Sequence, residues 1–270
     1  MPTAQELRAA PLRCASRICA RSEDLKDLSF YDAAAWLASA TQDGVTTNYS
    51  YDATGQLIQA GAQGFGWDAN GNPTSGGAQA GPGNRLVTDG TWIYSYDAAG
   101  NVTSRSDRGA GLTWSYSYDA ANQLTGATEK DGTGGVLVSA AYGYDAFGNR
   151  VRMQLAQGGS TQVTLPAFVA QGTPQVGADL TAWRLYADQD GSGLAQTRYL
   201  SGEQPNQWLA RVDASAGARW LLGDRQGSVS VVAGADGAVL DRISYGPFGS
   251  VTAETSPAAG GRVKIGRAHV

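Results

Sequence analysis

Apolar and polar residues alternate with a period of two along most of this chain, in short runs that turn residues interrupt. Tyr94-Ser95-Tyr96-Asp97-Ala98-Ala99-Gly100-Asn101-Val102 shows the unit. Tyr94 and Tyr96 fall on one face of a strand, because side chains two apart share a face. Asp97 suits the first position of a type I turn, where its carboxylate bonds a backbone N–H two residues on. Gly100 then takes the left-handed conformation that closes a hairpin with a G1 bulge, and Val102 returns the chain to a strand.

The same aromatic-Asp opening recurs six times. Its members are Tyr31-Asp32, Tyr51-Asp52 with Gly55, Trp67-Asp68 with Gly71, Tyr96-Asp97 with Gly100, Tyr118-Asp119 with Asn122, and Tyr144-Asp145 with Gly148. Three residues after the acid, five of six copies carry Gly or Asn, for which positive φ costs least. The first copy has Ala35 there, so its turn is expected to be strained or differently built. Between these turns lie Asp43-Gly44, Asp89-Gly90, Asp131-Gly132 and Asp236-Gly237, each read as a tight hairpin turn. Strand, turn, strand, turn describes an all-β fold, an antiparallel hairpin meander. The acids are spaced irregularly, 16 to 29 residues apart, which suits hairpins of unequal length and not a rigid solenoid.

These residues resemble the YD repeats of the RHS family, found in bacterial RHS and wall-associated proteins, toxin-complex C subunits and teneurins. A second segment strengthens the resemblance: Trp220-Leu221-Leu222-Gly223-Asp224-Arg225-Gln226-Gly227-Ser228-Val229, then Asp236-Gly237-Ala238-Val239 and Tyr245-Gly246-Pro247-Phe248-Gly249. It is similar to the start of the RHS-associated core, with Asp224, Gly227, Ser228, Tyr245, Pro247, Phe248 and Gly249 as its motif residues. The resemblance implies a curved β-sheet shell around a C-terminal toxin or effector, in a bacterial protein that works outside the cell or in its envelope. In that family the shell cleaves itself after a downstream Asp-Pro motif. No residue here matches that motif, so no catalytic residue is assigned. Expected partners are the remaining shell repeats and the effector. The alternative is an adhesion module that binds cell-surface glycans.

The expected organisation is an unassigned extension over 1–29, YD repeats over 30–151, a continuing β region over 152–218, the core-like start over 219–262, and sequencing-adapter read-through over 263–270. Ile265-Gly266-Arg267-Ala268-His269-Val270 resembles one translated frame of a sequencing adapter, so the reading frame is expected to be truncated there. The first 25 residues alternate Arg with Ala and hold both cysteines, Cys14 and Cys19; they lack the apolar stretch of a signal peptide. Pro166, Pro174 and Pro205 are expected to confine strands of the 152–218 region to edges or to end them early. No linker composition separates that region, which favours one continuous sheet.

Composition narrows the chemistry. The chain of 270 residues is 42% hydrophobic and 16% charged, with no run of 18 apolar residues, which excludes disorder by composition and a membrane-spanning helix. Net charge −4 without a Lys/Arg cluster in the repeats argues against a nucleic-acid partner. The one histidine, His269, sits in the adapter-like tail, and two cysteines are too few for a zinc site. Asp188 and Asp190 alternate before Gly191 as in calcium loops, but a hairpin turn explains them better. Aromatic side chains at every hairpin read as cross-strand packing before they read as a sugar platform. Gly61–Gly66 and Gly76–Gly83 read as irregular connections. No metal, cofactor or enzyme activity is expected.

Overall fold

The computed structural model describes residues 28–42, 44–170, 183–202, 207–224 and 227–264. Asp43, Pro174, Pro205, Arg225, Gln226, both cysteines and His269 lie outside the described residues. The chain divides at Tyr49/Ser50 into two units. In the first, β1 (Leu28–Tyr31), β2 (Leu37–Gln42) and β3 (Val45–Tyr51) pair antiparallel in sequence order.

The second unit opens with a small hairpin of β4 (Leu57–Ala60) and β5 (Gln63–Gly64). A sixteen-stranded sheet follows, every strand hydrogen-bonded to its sequence neighbours. Its first half is β6 (Ala78–Ala80), β7 (Leu86–Asp89), β8 (Trp92–Tyr96), β9 (Val102–Asp107), β10 (Thr113–Tyr118), β11 (Leu124–Lys130), β12 (Val136–Tyr144) and β13 (Arg150–Gln157). The second half is β14 (Ser160–Ala170), β15 (Trp183–Gln189), β16 (Ala195–Ser201), β17 (Trp208–Asp213), β18 (Gly217–Gly223), β19 (Val229–Gly234), β20 (Val239–Tyr245) and β21 (Val251–Glu254). A short α-helix, α1 (Pro257–Gly260), follows β21. The expected all-β antiparallel meander is what the chain forms.

The alternation in sequence becomes alternation in space. Along β8, Trp92, Tyr94 and Tyr96 are half-buried while Ile93 and Ser95 are exposed. A single-layer sheet cannot bury both faces, so fully buried large side chains are few. They concentrate around β18–β20, where Leu221, Val229, Val232 and Ile243 pack with Trp208 and Tyr245.

Several expectations change. Ala35 has φ +64° and its N–H still bonds Asp32 O at 3.0 Å, so the first turn is built like the rest, with the strain kept. Trp67-Asp68 opens a turn flanked by the isolated Trp67–Pro73 bridge instead of a strand pair. Gly61–Gly66 and Gly76–Gly83 contribute β5 and β6. Pro166 lies inside the longest strand, with neighbours on both sides. The ladder to β13 ends at Thr164, so the missing N–H of Pro166 leaves no gap in it.

Candidate functional site

The sequence points to its turns, and each is assembled from one carboxylate. At Asp97 the backbone closes twice: Asp97 N–H to Asn101 O at 3.0 Å and Gly100 N–H to Asp97 O at 3.2 Å. Asp97 Oδ1 accepts the Asn101 N–H at 2.9 Å, and Oδ2 accepts Asn101 Nδ2 at 2.9 Å. Gly100 sits at φ +93°. The same two backbone closures recur at Asp32, Asp52, Asp68, Asp119 and Asp145. The residues three beyond, Gly55, Gly71, Asn122 and Gly148, all have positive φ. Donated hydrogen bonds stabilise the ionised acid. The Asn101 side chain and backbone hold the Asp97 carboxyl below its ordinary value, and Asn72 and Asn149 do so for Asp68 and Asp145.

The same bend also forms outside the aromatic-Asp set, and at Asp190 it is the hairpin turn expected there. Asp131 closes on Gly134, Asp190 on Gly193 and Asp224 on Gly227. The reading of Asp131-Gly132 as a tight two-residue turn is therefore corrected: positive φ falls on Gly134, and the Asp131 carboxylate accepts from Thr133 and Gly135 N–H. Gly replaces the acid at Gly81, Gly234 and Gly246, with Asn84, Gly237 and Gly249 left-handed. Asp-x-x-Gly, with or without the aromatic, marks seven of the acid-started bends; Asp119 with Asn122 and Asp32 with Ala35 close without the glycine. Asp188 stands apart from the Asp190 bend and bonds Tyr199 and Arg262.

In a meander every second connection lies at the same end of the strands. That rule places the bends at 81–84, 97–100, 119–122, 145–148, 224–227 and 246–249 in one row. The core-like motif thus continues the row, with Tyr245-Gly246 standing where Tyr-Asp stands elsewhere and Pro247, Phe248 and Gly249 completing the bend.

Aromatic tips staple five of the bends to the one before. Tyr96 Oη donates to Leu86 O at 2.7 Å, Tyr118 Oη to Val102 O at 3.0 Å and Tyr144 Oη to Leu124 O at 2.9 Å. Tyr245 Oη donates to Val229 O at 2.8 Å, and Trp67 Nε1 to Leu57 O at 2.8 Å. Each acceptor is the first strand residue after the preceding bend, so the aromatic body packs while its polar tip is satisfied. Polar side chains add a second link. Asn72 Nδ2 donates to Asn84 Oδ1 at 3.1 Å, Arg85 Nη1 to Asp97 O at 3.3 Å, and Asn101 Nδ2 to Asn122 Oδ1 at 2.8 Å.

The other rings are engaged within the sheet. The Arg105 guanidinium lies 4.4 Å from the Trp92 ring and 5.4 Å from that of Trp114, which stacks on Tyr116. Tyr94 Oη donates to Asp89 Oδ2 at 2.6 Å; burial first and this bond second push its pKa up to about 12. Phe248 packs edge-on against Phe65 and Trp67, with centroids 5.1 and 6.2 Å away. A hollow of about 650 Å³ beside Phe65 and Trp67 is bordered by Asp52, Ile58, Asp68 and Asn70.

Among the described residues, no group of three or more His, Cys, Asp or Glu side chains is placed to hold a metal ion. No helix among them is long and apolar enough to cross a membrane.

Residues 30–266 match the teneurin YD-shell family. No curated protein matches the sequence. Among solved structures, a TcdB2-TccC3 complex aligns at 15% identity and TM-score 0.35, over 85% of this chain and 18% of that one. A Photorhabdus luminescens Tc holotoxin pore aligns at 14% identity and TM-score 0.38, again over 85% and 18%. A porin-like protein from Bacteroides uniformis aligns at 15% identity and TM-score 0.30, over 75% and 85%. This chain spans about a fifth of the toxin-complex chains. With TM-scores below 0.5, none of these three likenesses adds weight to the family match.

Proposed function

The chain belongs to the teneurin YD-shell family, and from that premise we propose that it is a non-catalytic wall segment of a longer shell that encloses and delivers a C-terminal effector. The observation that carries this reading is the stapled row of bends. The acids are bonded within their own bends, and amides and aromatic tips to the neighbouring bend, so their chemistry is used to hold the sheet together. Such a sheet supports function through surface and shape. On this reading the parent is a secreted or envelope-associated bacterial protein of the polymorphic-toxin kind. Its partners are the remaining repeats and its own effector. The core-like bends at Asp224 and Gly246 carry the wall on towards the region that holds the cargo.

Protease protection tests the proposal. The uninterrupted gene product, expressed whole, should shield its C-terminal segment from trypsin at doses that digest that segment expressed alone. Equal digestion in both settings would reject enclosure. Retention on a glycan array by the repeats, together with equal digestion, would favour the adhesive reading.

A further inference from the structure

The sixteen-stranded sheet carries a second charged assembly, away from the row of bends, and it converges on the segment Thr255–Lys264. Asp188 on β15 holds Arg262 through two contacts, Nε to Oδ2 at 2.6 Å and Nη2 to Oδ1 at 2.5 Å. Glu254 holds Lys264 Nζ at 2.6 and 2.7 Å. Arg211 on β17 donates to Gly260 O at 3.1 Å and Ala259 O at 2.5 Å, and Arg219 on β18 donates to Ala259 O at 3.0 Å. The carbonyls that end α1 are thereby satisfied. Asp213 lies 3.2 Å from Arg211 and 3.4 Å from Arg219. Asp241 on β20, fully buried, accepts the Ser256 N–H at 2.7 Å and the Thr255 hydroxyl at 3.0 Å.

These contacts lie on one face of the sheet. Leu221 pairs with Val232 and Val232 with Asp241, so Leu221, Val232, Asp241 and Ile243 share it. The fit is close enough to require glycine. Gly261 has φ +73° and a Cβ there would overlap the Arg211 guanidinium; a Cβ on Gly260 would stand 2.8 Å from Asp241 Oδ2.

We propose that residues 255–264 form a latch, a strap that seats on and leaves this face as a unit while the sheet beneath stays folded. Its attachment differs from that of any strand. Among the described residues, backbone bonds join it to the sheet at two places, Thr255 N–H to Arg242 O and Lys264 O from Val229 N–H. Side chains make the other attachments: the two ion pairs, the Arg211 and Arg219 bonds to the α1 carbonyls, the Asp241 bonds, Thr255 Oγ1 from Arg242 N–H, and Tyr245 Oη to Lys264 O. A ladder of many backbone bonds opens with the whole sheet, whereas a segment with two backbone bonds to its sheet opens locally. Lifting the strap leaves Asp241 without its Thr255 and Ser256 donors and Asp188 with Tyr199 Oη alone, which keeps it shut at rest. The face beneath takes a single helical turn ending in two glycines and followed by a basic residue, supplied here in cis.

Hydrogen exchange on the full chain tests the latch at the N–H groups of Ser256, Ala259, Gly260 and Val229, all bonded when the strap is seated. Asp188→Asn and Arg262→Ala should each speed exchange there about tenfold or more, with β10–β12 unchanged. Because the two residues act as one lock, the double variant should exchange no faster than the faster single variant. Gly261→Ala, which alters no charge, should give the same local acceleration. Unchanged exchange at these groups, additive effects, or equal acceleration in β10–β12 would overturn the proposal.

Discussion

At Ala35 the bend forms in spite of its residue. A left-handed Ala costs on the order of 1 kcal/mol that glycine avoids, and φ is +64° there. Ala35→Gly should therefore stabilise the β1–β2 hairpin by about 1 kcal/mol, while Gly100→Val should destabilise its own by about 1 kcal/mol or more. Denaturant midpoints check both, and no shift for either would contradict the left-handed assignment. The acids make a pH prediction. Folding lowers the carboxyl pKa of Asp52, Asp68, Asp97, Asp131 and Asp145 from 3.8, through hydrogen bonds donated within each bend. The unfolded chain then binds more protons in acid, so the stabilisation is complete above about pH 5 and is lost as pH falls through the lowered values. Melting temperature should fall between pH 5 and about 3; a flat profile would contradict the Asx geometry. The acid and the left-handed residue were legible because both are local, set within four residues of chain.

Hairpins show where local reading stops. Tyr118 was legible as a packed aromatic on a strand, but its hydroxyl bonds Val102 O, sixteen residues back. Alternation gives the face of a ring and not the reach of its tip. Tyr118→Phe should cost about 1 kcal/mol by leaving a half-buried carbonyl unpaired, and thermal unfolding of that variant beside Tyr116→Phe checks it. Equal loss from both would deny the staple. Asp131-Gly132 was misplaced because a dipeptide rule outweighed the longer Asp-x-x-Gly spacing that closes on Gly134. Pro166 was misjudged for another reason. Proline forbids a ladder bond only where a partner strand runs alongside, and the point where β13 stops pairing is set by strand length.

Across the second unit, the sheet order follows the sequence, so connectivity was readable from alternation and turns. The charged assembly under the strap was not. Arg211 and Gly260 meet across 49 residues, and Asp188 and Arg262 across 74. The hint available was charge among apolar neighbours, Arg211 and Asp213 at alternate positions of β17 and Asp241 on β20. Repetition explains the difference between the two. A bend restates one local solution many times, whereas the strap is built once from distant parts. The proposed role depends on the stapled sheet continuing as a wall around something else. Cryo-electron microscopy of the uninterrupted gene product tests this most directly. The map should show strands continuing beyond β21 in the same staple register, with the C-terminal segment inside them. A sheet that ends at β21, with that segment outside in solvent, would contradict the account.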